Sequence, residues 1–101
     1  SEFYKGIPKM YTTPEIKVKC SDESKFNVVE DVKEYFMKRY PCLTIDGVMV
    51  DFGDLSWGAC RASNTSPYLT LRFEAKTPEK LELVKNIMMD KLKEYPEVAL
   101  D

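Results

Sequence analysis

The chain has 101 residues and a mass of 11.7 kDa, which is the size of one ordinary domain. Its hydrophobic content of 44% and charged content of 32% indicate a globular protein and exclude a disordered one. The net charge of −2 argues against a general nucleic-acid binder, and the absence of histidine removes Ser-His-Asp and Cys-His catalysis together with the commonest metal ligand.

The cysteines and the hydropathy pattern indicate the environment of the protein. Cys20, Cys42 and Cys60 are an odd number without Cys-x-x-Cys spacing, so they predict neither a disulfide framework nor a zinc site. We expect each to be a small buried hydrophobic residue in a reducing, cytoplasmic compartment. No apolar run approaches the roughly 20 residues that span a bilayer, which predicts a soluble protein.

The beginning of the chain predicts a connector. Residues 1–3 (Ser-Glu-Phe) resemble a cloning scar, which suggests a fragment of a longer protein. Residues 4–14 are interrupted by Pro8 and Pro14 and have no hydrophobic period, as expected of an interdomain linker. The domain itself is then predicted over residues 15–101.

The domain is predicted to begin with a strand and a helix. Residues 15–20 alternate polar and apolar side chains, which is the period of a half-buried strand. From about residue 25 to about residue 40, apolar residues recur at helical spacing until Pro41 ends the pattern. This spacing predicts an amphipathic helix.

Four strands are predicted next. Residues 43–45 and 48–52 flank Asp46-Gly47, a dipeptide that tolerates the positive φ angles of a tight hairpin turn. The other two strands are predicted over residues 57–62 and 69–75.

A second helix is predicted to close the domain. Thr77 supplies a capping hydroxyl before Pro78 at the first helical position, and an apolar stripe then runs to about residue 94. The element order is therefore β-α-β-β-β-β-α. Because each helix has one apolar stripe, both should cover the same face of a largely antiparallel sheet, which predicts a two-layer α+β domain with one sheet face left open.

The loop between the last two strands concentrates polar chemistry. Arg61 offers a planar fork of N–H donors to the oxygens of an anion. The turn that follows adds hydroxyl, amide and consecutive backbone N–H donors, which can complete a concave anion site. The side chains concerned are Ser63, Asn64 and Thr65. Arg72, on the following strand, adds a second positive charge.

Two other interpretations of the polar residues stay open. Ser, Asn, Thr and Pro are ordinary turn residues, so the loop is alternatively a plain hairpin connection in which Arg61 pairs with Glu74. Asp46, Asp51 and Asp54 lie close together in sequence and offer oxygen ligands to a hard cation, although Asp46 already has a role in the predicted turn.

At this loop the sequence resembles a known family. Residues 57–75 contain the run Arg61-Ala62-Ser63-Asn64-Thr65-Ser66-Pro67. They are similar to the phosphate-binding loop and flanking strands of bacterial phosphomannomutase/phosphoglucomutase, in the α-D-phosphohexomutase superfamily. Further matches follow in the same order at residues 13–16, 24–26 and 46–51.

The resemblance implies the C-terminal, fourth domain of a four-domain enzyme, with a fold similar to the TATA-box-binding-protein-like sandwich. In this family the domain closes over the active-site cleft, and its loop grips the phosphate of the phosphosugar. By position, that role falls to Arg61, Ser63, Asn64 and Thr65, with Arg72 as a weaker correspondence.

The resemblance also implies an activity for the parent enzyme. Family members interconvert hexose 1-phosphate and hexose 6-phosphate through a bisphosphorylated intermediate. The implied partners are glucose or mannose phosphates and the three other domains, with no nucleic acid and no membrane. Mg²⁺ is expected in the parent and no cofactor or metal in this domain. The family's phosphoserine, magnesium and sugar-reading loops are absent here, so this chain is expected to carry no catalytic residue.

Some positions refine or depart from the family pattern. Asn64 stands where related glucosamine mutases usually have glycine, which favours the hexose branch. Ala59, Cys60 and Met49 differ from the residues usual in the family, and these differences concern local packing.

Functions of two other classes remain open. A stand-alone binding or regulatory module would use the loop for a phosphorylated ligand without catalysis. A structural interaction domain would use the open sheet face and bind no phosphate.

Overall fold

The computed structural model describes residues 10–99, which form two helices and the strands of one sheet. In chain order the elements are β1 (Tyr11–Thr12), β2 (Ile16–Cys20), α1 (Lys25–Met37), β3 (Cys42–Leu43), β4 (Val48–Gly53), β5 (Ser56–Ala62), β6 (Tyr68–Ala75), α2 (Pro78–Leu92) and β7 (Val98–Ala99). The predicted cloning scar at residues 1–3 and the predicted linker up to residue 9 lie outside the described residues. Neither described helix is long and apolar enough to cross a membrane.

The strands form one seven-stranded antiparallel sheet in the order β3-β4-β5-β6-β2-β7. β1 pairs with the Ala75 end of β6, next to the stretch of β6 that pairs with β2. Leu71 in the middle of β6 lies between Cys60 of β5 and Ile16 of β2. The predicted α+β fold with an antiparallel sheet is confirmed.

Both helices cover one face of this sheet. Val32 and Phe36 of α1 and Met88 of α2 are fully buried. They belong to the same hydrophobic cluster as Leu71 and Phe73 of β6. Because one cluster holds side chains from both helices, the two helices pack on the same side, as the single apolar stripe of each predicts.

The helix ends differ in part from the sequence prediction. α1 ends at Met37, not near residue 40, because the N–H groups of Arg39 and Tyr40 both donate to the Phe36 carbonyl, at 3.0 and 2.8 Å. This tightened turn lets Tyr40 leave the helix before Pro41, which disfavours a helical conformation in the residue that precedes it.

The start of α2 agrees with the prediction. Thr77 Oγ1 accepts a hydrogen bond from the Lys80 N–H at 3.0 Å, and Pro78 occupies the first turn. The helix ends at Leu92, two residues before the predicted end near residue 94.

β1 and β7 are strands that the sequence did not reveal. Each is only two residues long, so neither shows the alternation by which a strand is predicted. β7 pairs Val98 with Cys20, and β1 lies in the described part of the predicted linker. Just after β1, the Thr13 N–H donates to the Phe73 carbonyl at 3.0 Å.

Two hairpin turns depend on left-handed backbone. The predicted β3–β4 hairpin is present, but its loop covers residues 44–47, and Gly47 takes a positive φ of 76° whereas Asp46 does not. A Cβ atom on Gly47 would lie 2.4 Å from the Cys60 carbonyl oxygen, so the close approach also requires glycine. The β4–β5 turn places Asp54 and Leu55 at φ 53° and 61°, which the sequence did not predict.

Candidate functional site

The sheet face away from the helices carries the arginines singled out from the sequence. Alternate side chains of β5 and β6 turn away from the core, which places Arg61, Thr70 and Arg72 on one side. They line a shallow depression of about 340 Å³ together with Asp46 and Trp57. The fold therefore brings both arginines to the same surface.

Arg61 is held in a defined orientation at this surface. Its Nη1 donates to Asp46 Oδ2 at 2.9 Å, and its Nε donates to Thr70 Oγ1 at 3.3 Å. The side chain remains 51% exposed. Because a guanidinium carries more N–H groups than these two bonds use, Arg61 still has donors available for a ligand.

The alternative pairing of Arg61 with Glu74 is wrong. The register of β5 and β6 sets Thr70 opposite Arg61, whereas Glu74 lies opposite Trp57. Since strand residues rise about 3.3 Å each, Glu74 is about 13 Å along β6 from the position opposite Arg61. Asp46, at the β3–β4 loop, is the carboxylate that Arg61 reaches.

Arg72 is the less constrained of the two arginines. It lies opposite Ala59, and within residues 10–99 it takes part in no salt bridge. Glu15 and Asp46 line the same depression, so carboxylates offset the two arginines there. An anion that enters the depression would compete with Asp46 for the Arg61 guanidinium.

The loop after β5 is closed by the Ser63 side chain. Ser63 Oγ accepts hydrogen bonds from the N–H of Ser66 at 3.2 Å and, more weakly, of Thr65 at 3.4 Å. These two backbone donors therefore point at Ser63 and do not form an outward concavity. Asn64 and Thr65 are exposed at the tip of the loop.

Hydrogen bonds from α1 and β2 hold the loop against the rest of the domain. The ammonium of Lys25 donates to the Ser66 carbonyl at 2.9 Å, and the Cys20 N–H donates to the Pro67 carbonyl at 2.9 Å. Lys25 is 3% exposed and also pairs with Asp22 at 2.7 Å. The sequence analysis placed Lys25 in a family match at residues 24–26 but not at the loop, because 41 positions separate it from Ser66 and no local pattern links the two residues.

The three aspartates considered as metal ligands have separate partners. Asp46 pairs with Arg61, and Asp51 Oδ1 accepts a hydrogen bond from the Gly53 N–H at 2.9 Å. Asp54 pairs with Lys76 at 2.9 Å, and the hydrogen bond and charge of Lys76 lower the pKa of the Asp54 carboxyl. Among residues 10–99, no group of three or more His, Cys, Asp or Glu side chains is placed to hold a metal ion.

The cysteines behave as core residues more than as nucleophiles. Cys20 and Cys60 are buried in the hydrophobic cluster, and Cys42 packs against its edge. Burial raises the pKa of the Cys60 thiol to about 12 and also raises the pKa values of Cys20 and Cys42. Thiols with raised pKa values are poor nucleophiles near neutral pH.

Comparison with known sequences places this fold and this loop in one family. The profile of the family described as "Phosphoglucomutase/phosphomannomutase, C-terminal domain" matches residues 15–91. The chain belongs to this family. It is 40% identical over 91 residues to phosphomannomutase/phosphoglucomutase of Pseudomonas aeruginosa, which covers 89% of this chain and 19% of that relative. It is 39% identical over 89 residues to phosphoglucomutase of Neisseria meningitidis serogroup B, with 85% and 19% covered.

A solved structure of the same family has the same fold. The crystal structure of a phosphoglucomutase/phosphomannomutase family protein from Burkholderia thailandensis superposes with a TM-score of 0.71 at 27% sequence identity. The match covers 93% of this chain and 19% of that chain. The predicted membership in the family is confirmed, and the chain spans about 19% of the length of the relatives it matches.

Proposed function

We propose that this chain is the substrate-phosphate-binding domain of a phosphohexomutase that interconverts hexose 1-phosphate and hexose 6-phosphate. Arg61, Ser63, Asn64 and Thr65 contact the substrate phosphate, and Arg72 adds a second positive charge at the same surface. Membership in the phosphoglucomutase/phosphomannomutase family as its C-terminal domain supports the assignment.

The placement of Arg61 and Ser63 supports this proposal most strongly. The pairing of β5 with β6 continues to residue 63, because the Ser63 N–H donates to the Tyr68 carbonyl at 2.9 Å. Arg61 and Ser63 therefore share a side at the period of two, about 7 Å apart along the strand. Both retain a free donor, so one anion between them can be bound by both side chains.

The donors suit a phosphate dianion. The Ser63 hydroxyl already accepts two N–H groups, so its remaining capacity is to donate its proton. The Arg61 guanidinium donates only, and the Asn64 amide adds N–H donors at the loop tip. A phosphate dianion accepts hydrogen bonds at its oxygens, whereas a sugar hydroxyl must also donate its own proton. This set therefore favours the phosphate over the sugar hydroxyls.

A phosphate site of this kind also suits a reaction whose intermediate reorients between two phosphoryl transfers. A bisphosphorylated hexose presents a phosphate at either end, and donors that contact only the phosphate bind both orientations. Contacts that read the sugar would then come from the rest of the parent enzyme, which makes up most of the length of the relatives.

The Mg²⁺ expected in the parent enzyme does not fit this domain. Asp46, Asp51 and Asp54, the aspartates considered from the sequence, have separate partners. Among residues 10–99, no other group of three or more His, Cys, Asp or Glu side chains is placed to hold a metal ion either. We therefore assign the metal to the remainder of the parent enzyme.

A titration of this 101-residue chain followed by amide NMR tests the clamp. Inorganic phosphate, glucose 1-phosphate and mannose 6-phosphate should each shift the amides of residues 61–68 in the same pattern. Arg61→Ala should abolish these shifts. Arg39→Ala is the matched control, because Arg39 lies beyond the end of α1, where it stacks 3.8 Å from the Tyr35 ring centroid, and should leave the shifts unchanged.

The same substitution in the full-length enzyme measures what the clamp contributes to turnover. We expect Arg61→Ala to lower kcat/KM by about 2 to 4 kcal/mol of transition-state stabilisation, the scale of a lost charge-assisted contact. The unfolding midpoint should stay near that of the wild type, since the side chain is half exposed. An unchanged kcat/KM would show that Arg61 does not hold the substrate.

A further inference from the structure

A buried lysine lies directly behind the proposed phosphate loop. Lys25 is the first residue of α1 and is only 3% exposed. Burial of an ammonium group is unfavourable unless it is paired and hydrogen-bonded, and the N-terminus of a helix further disfavours a positive charge. Neither the helix nor the core therefore accounts for a lysine at this position.

The bonds of Lys25 link α1 to the loop. Its ammonium donates to Asp22 Oδ1 at 2.7 Å and to the Ser66 carbonyl at 2.9 Å. The side chain of Lys25 is 4% exposed, whereas that of Asp22 is 68% exposed. The carboxylate thus reaches solvent while the ammonium stays inside, against the loop backbone.

Ser66 connects this ammonium to the hydroxyl of Ser63. The Ser66 carbonyl accepts both the Lys25 ammonium and the Tyr68 N–H, the latter at 2.8 Å. The Ser66 N–H donates to Ser63 Oγ at 3.2 Å. Ser66 is therefore the one residue between the buried ammonium of Lys25 and the Ser63 hydroxyl.

We propose that Lys25 is a positioning residue for the phosphate loop. By holding the Ser66 carbonyl, it fixes the Ser66 N–H on Ser63 Oγ, which leaves the Ser63 hydroxyl proton as the group free to donate outward. Lys25 itself does not contact the ligand. The effect on phosphate binding rests on the proposed function, whereas the effect on loop order does not.

The test compares two substitutions that break the same ion pair in different ways. Lys25→Met keeps an unbranched apolar side chain and removes the donors to Ser66. Asp22→Asn removes the exposed carboxylate charge and leaves the contact between Lys25 and Ser66. Both should reduce stability, so only a loop-specific measurement separates them.

Hydrogen exchange of the loop amides supplies that measurement. In Lys25→Met the Ser66 and Tyr68 amides should exchange about tenfold faster, relative to core amides of α2 such as Met88, and the Kd for inorganic phosphate should rise about tenfold. In Asp22→Asn the ratio of loop to core exchange should stay as in the wild type. Unchanged loop exchange in Lys25→Met would overturn the proposal, as would faster exchange without weaker phosphate binding.

A second measurement on the wild-type chain keeps the proposal testable if Lys25→Met fails to fold. The side-chain ammonium of Lys25 should exchange its protons with water far more slowly than that of Lys93, whose side chain is 66% exposed. Equal exchange rates would overturn the role of Lys25. If phosphate fails to shift the wild-type loop, the proposed function is wrong, and the exchange data still decide whether Lys25 orders the loop.

Discussion

The two faces of the sheet differ in what holds their side chains. On the helix-covered face, side chains such as Phe36 and Phe73 are fully buried and are fixed by packing. On the open face, Arg61 is fixed by two hydrogen bonds and stays half exposed. Stability is therefore concentrated on one face and ligand chemistry on the other, so substitutions on the two faces should have separable effects.

The largest expected effect tests the covered face. Phe36 is fully buried, and its ring lies 5.0 Å from Tyr35 and 6.0 Å from Phe52 between centroids. Phe36→Ala should lower the free energy of unfolding by about 3 to 5 kcal/mol, through lost burial and the cavity it leaves. Urea denaturation measures this loss.

A matched control lies in the same helix. Phe26 is 54% exposed, so Phe26→Ala should cost less than about 1 kcal/mol. The folded fraction of Phe36→Ala should still bind phosphate at the loop. Similar losses for the two variants, or a lost phosphate response in folded Phe36→Ala, would break the distinction between the faces.

A smaller effect tests the covered face through pH. Burial holds the pKa of the Cys60 thiol at about 12, above the ordinary value of 9.0 that applies in the unfolded chain. Above about pH 9 the unfolded state releases this proton and the folded state keeps it. The free energy of unfolding should therefore fall as pH rises, by up to about 1.4 kcal/mol per pH unit for this group.

Removal of the thiol isolates its share of this dependence. Between pH 8 and pH 10, Cys60→Ala should lose stability less steeply than the wild type. Cys42→Ala is the comparison variant, because the Cys42 thiol is only partly buried, whereas the Cys60 thiol is fully buried. Burial is the one cause that raises the pKa of the Cys42 thiol. A slope for Cys60→Ala equal to that of the wild type would mean that the buried thiol does not titrate as inferred.

The covered face was the more predictable of the two from sequence. The stripe that includes Val32 and Phe36 repeats at the helical period, and the alternation around Leu71 and Phe73 repeats at the strand period. Each pattern lies within one segment, because burial on one side of an element repeats along that element. The signal for the start of α2, Thr77 before Pro78, also lies within one segment of the sequence.

The open face was predictable only in its residue types. The loop chemistry of Arg61 and Ser63 was visible, and the family resemblance assigned it a role. The contacts of the loop with Asp46 and Lys25 could not be predicted from the sequence. Asp46 is 15 positions from Arg61, and Lys25 is 41 positions from Ser66. Such contacts depend on strand register and helix docking, which no local pattern encodes.

The smallest expected effect concerns a position on neither face, where backbone conformation decides. Leu55 in the β4–β5 turn has a φ of 61° and is 59% exposed, so its side chain gains little burial and strains the backbone. Leu55→Gly should raise the free energy of unfolding by about 0.5 kcal/mol, because relief of the strain exceeds the added flexibility of the unfolded chain. The same change at Leu83, which is 52% exposed within α2, should lower it by about 1 kcal/mol. Opposite signs in a thermal or urea unfolding series would show that backbone geometry sets the effect at Leu55, whereas a loss at both positions would mean that the Leu55 side chain contributes more than its exposure indicates.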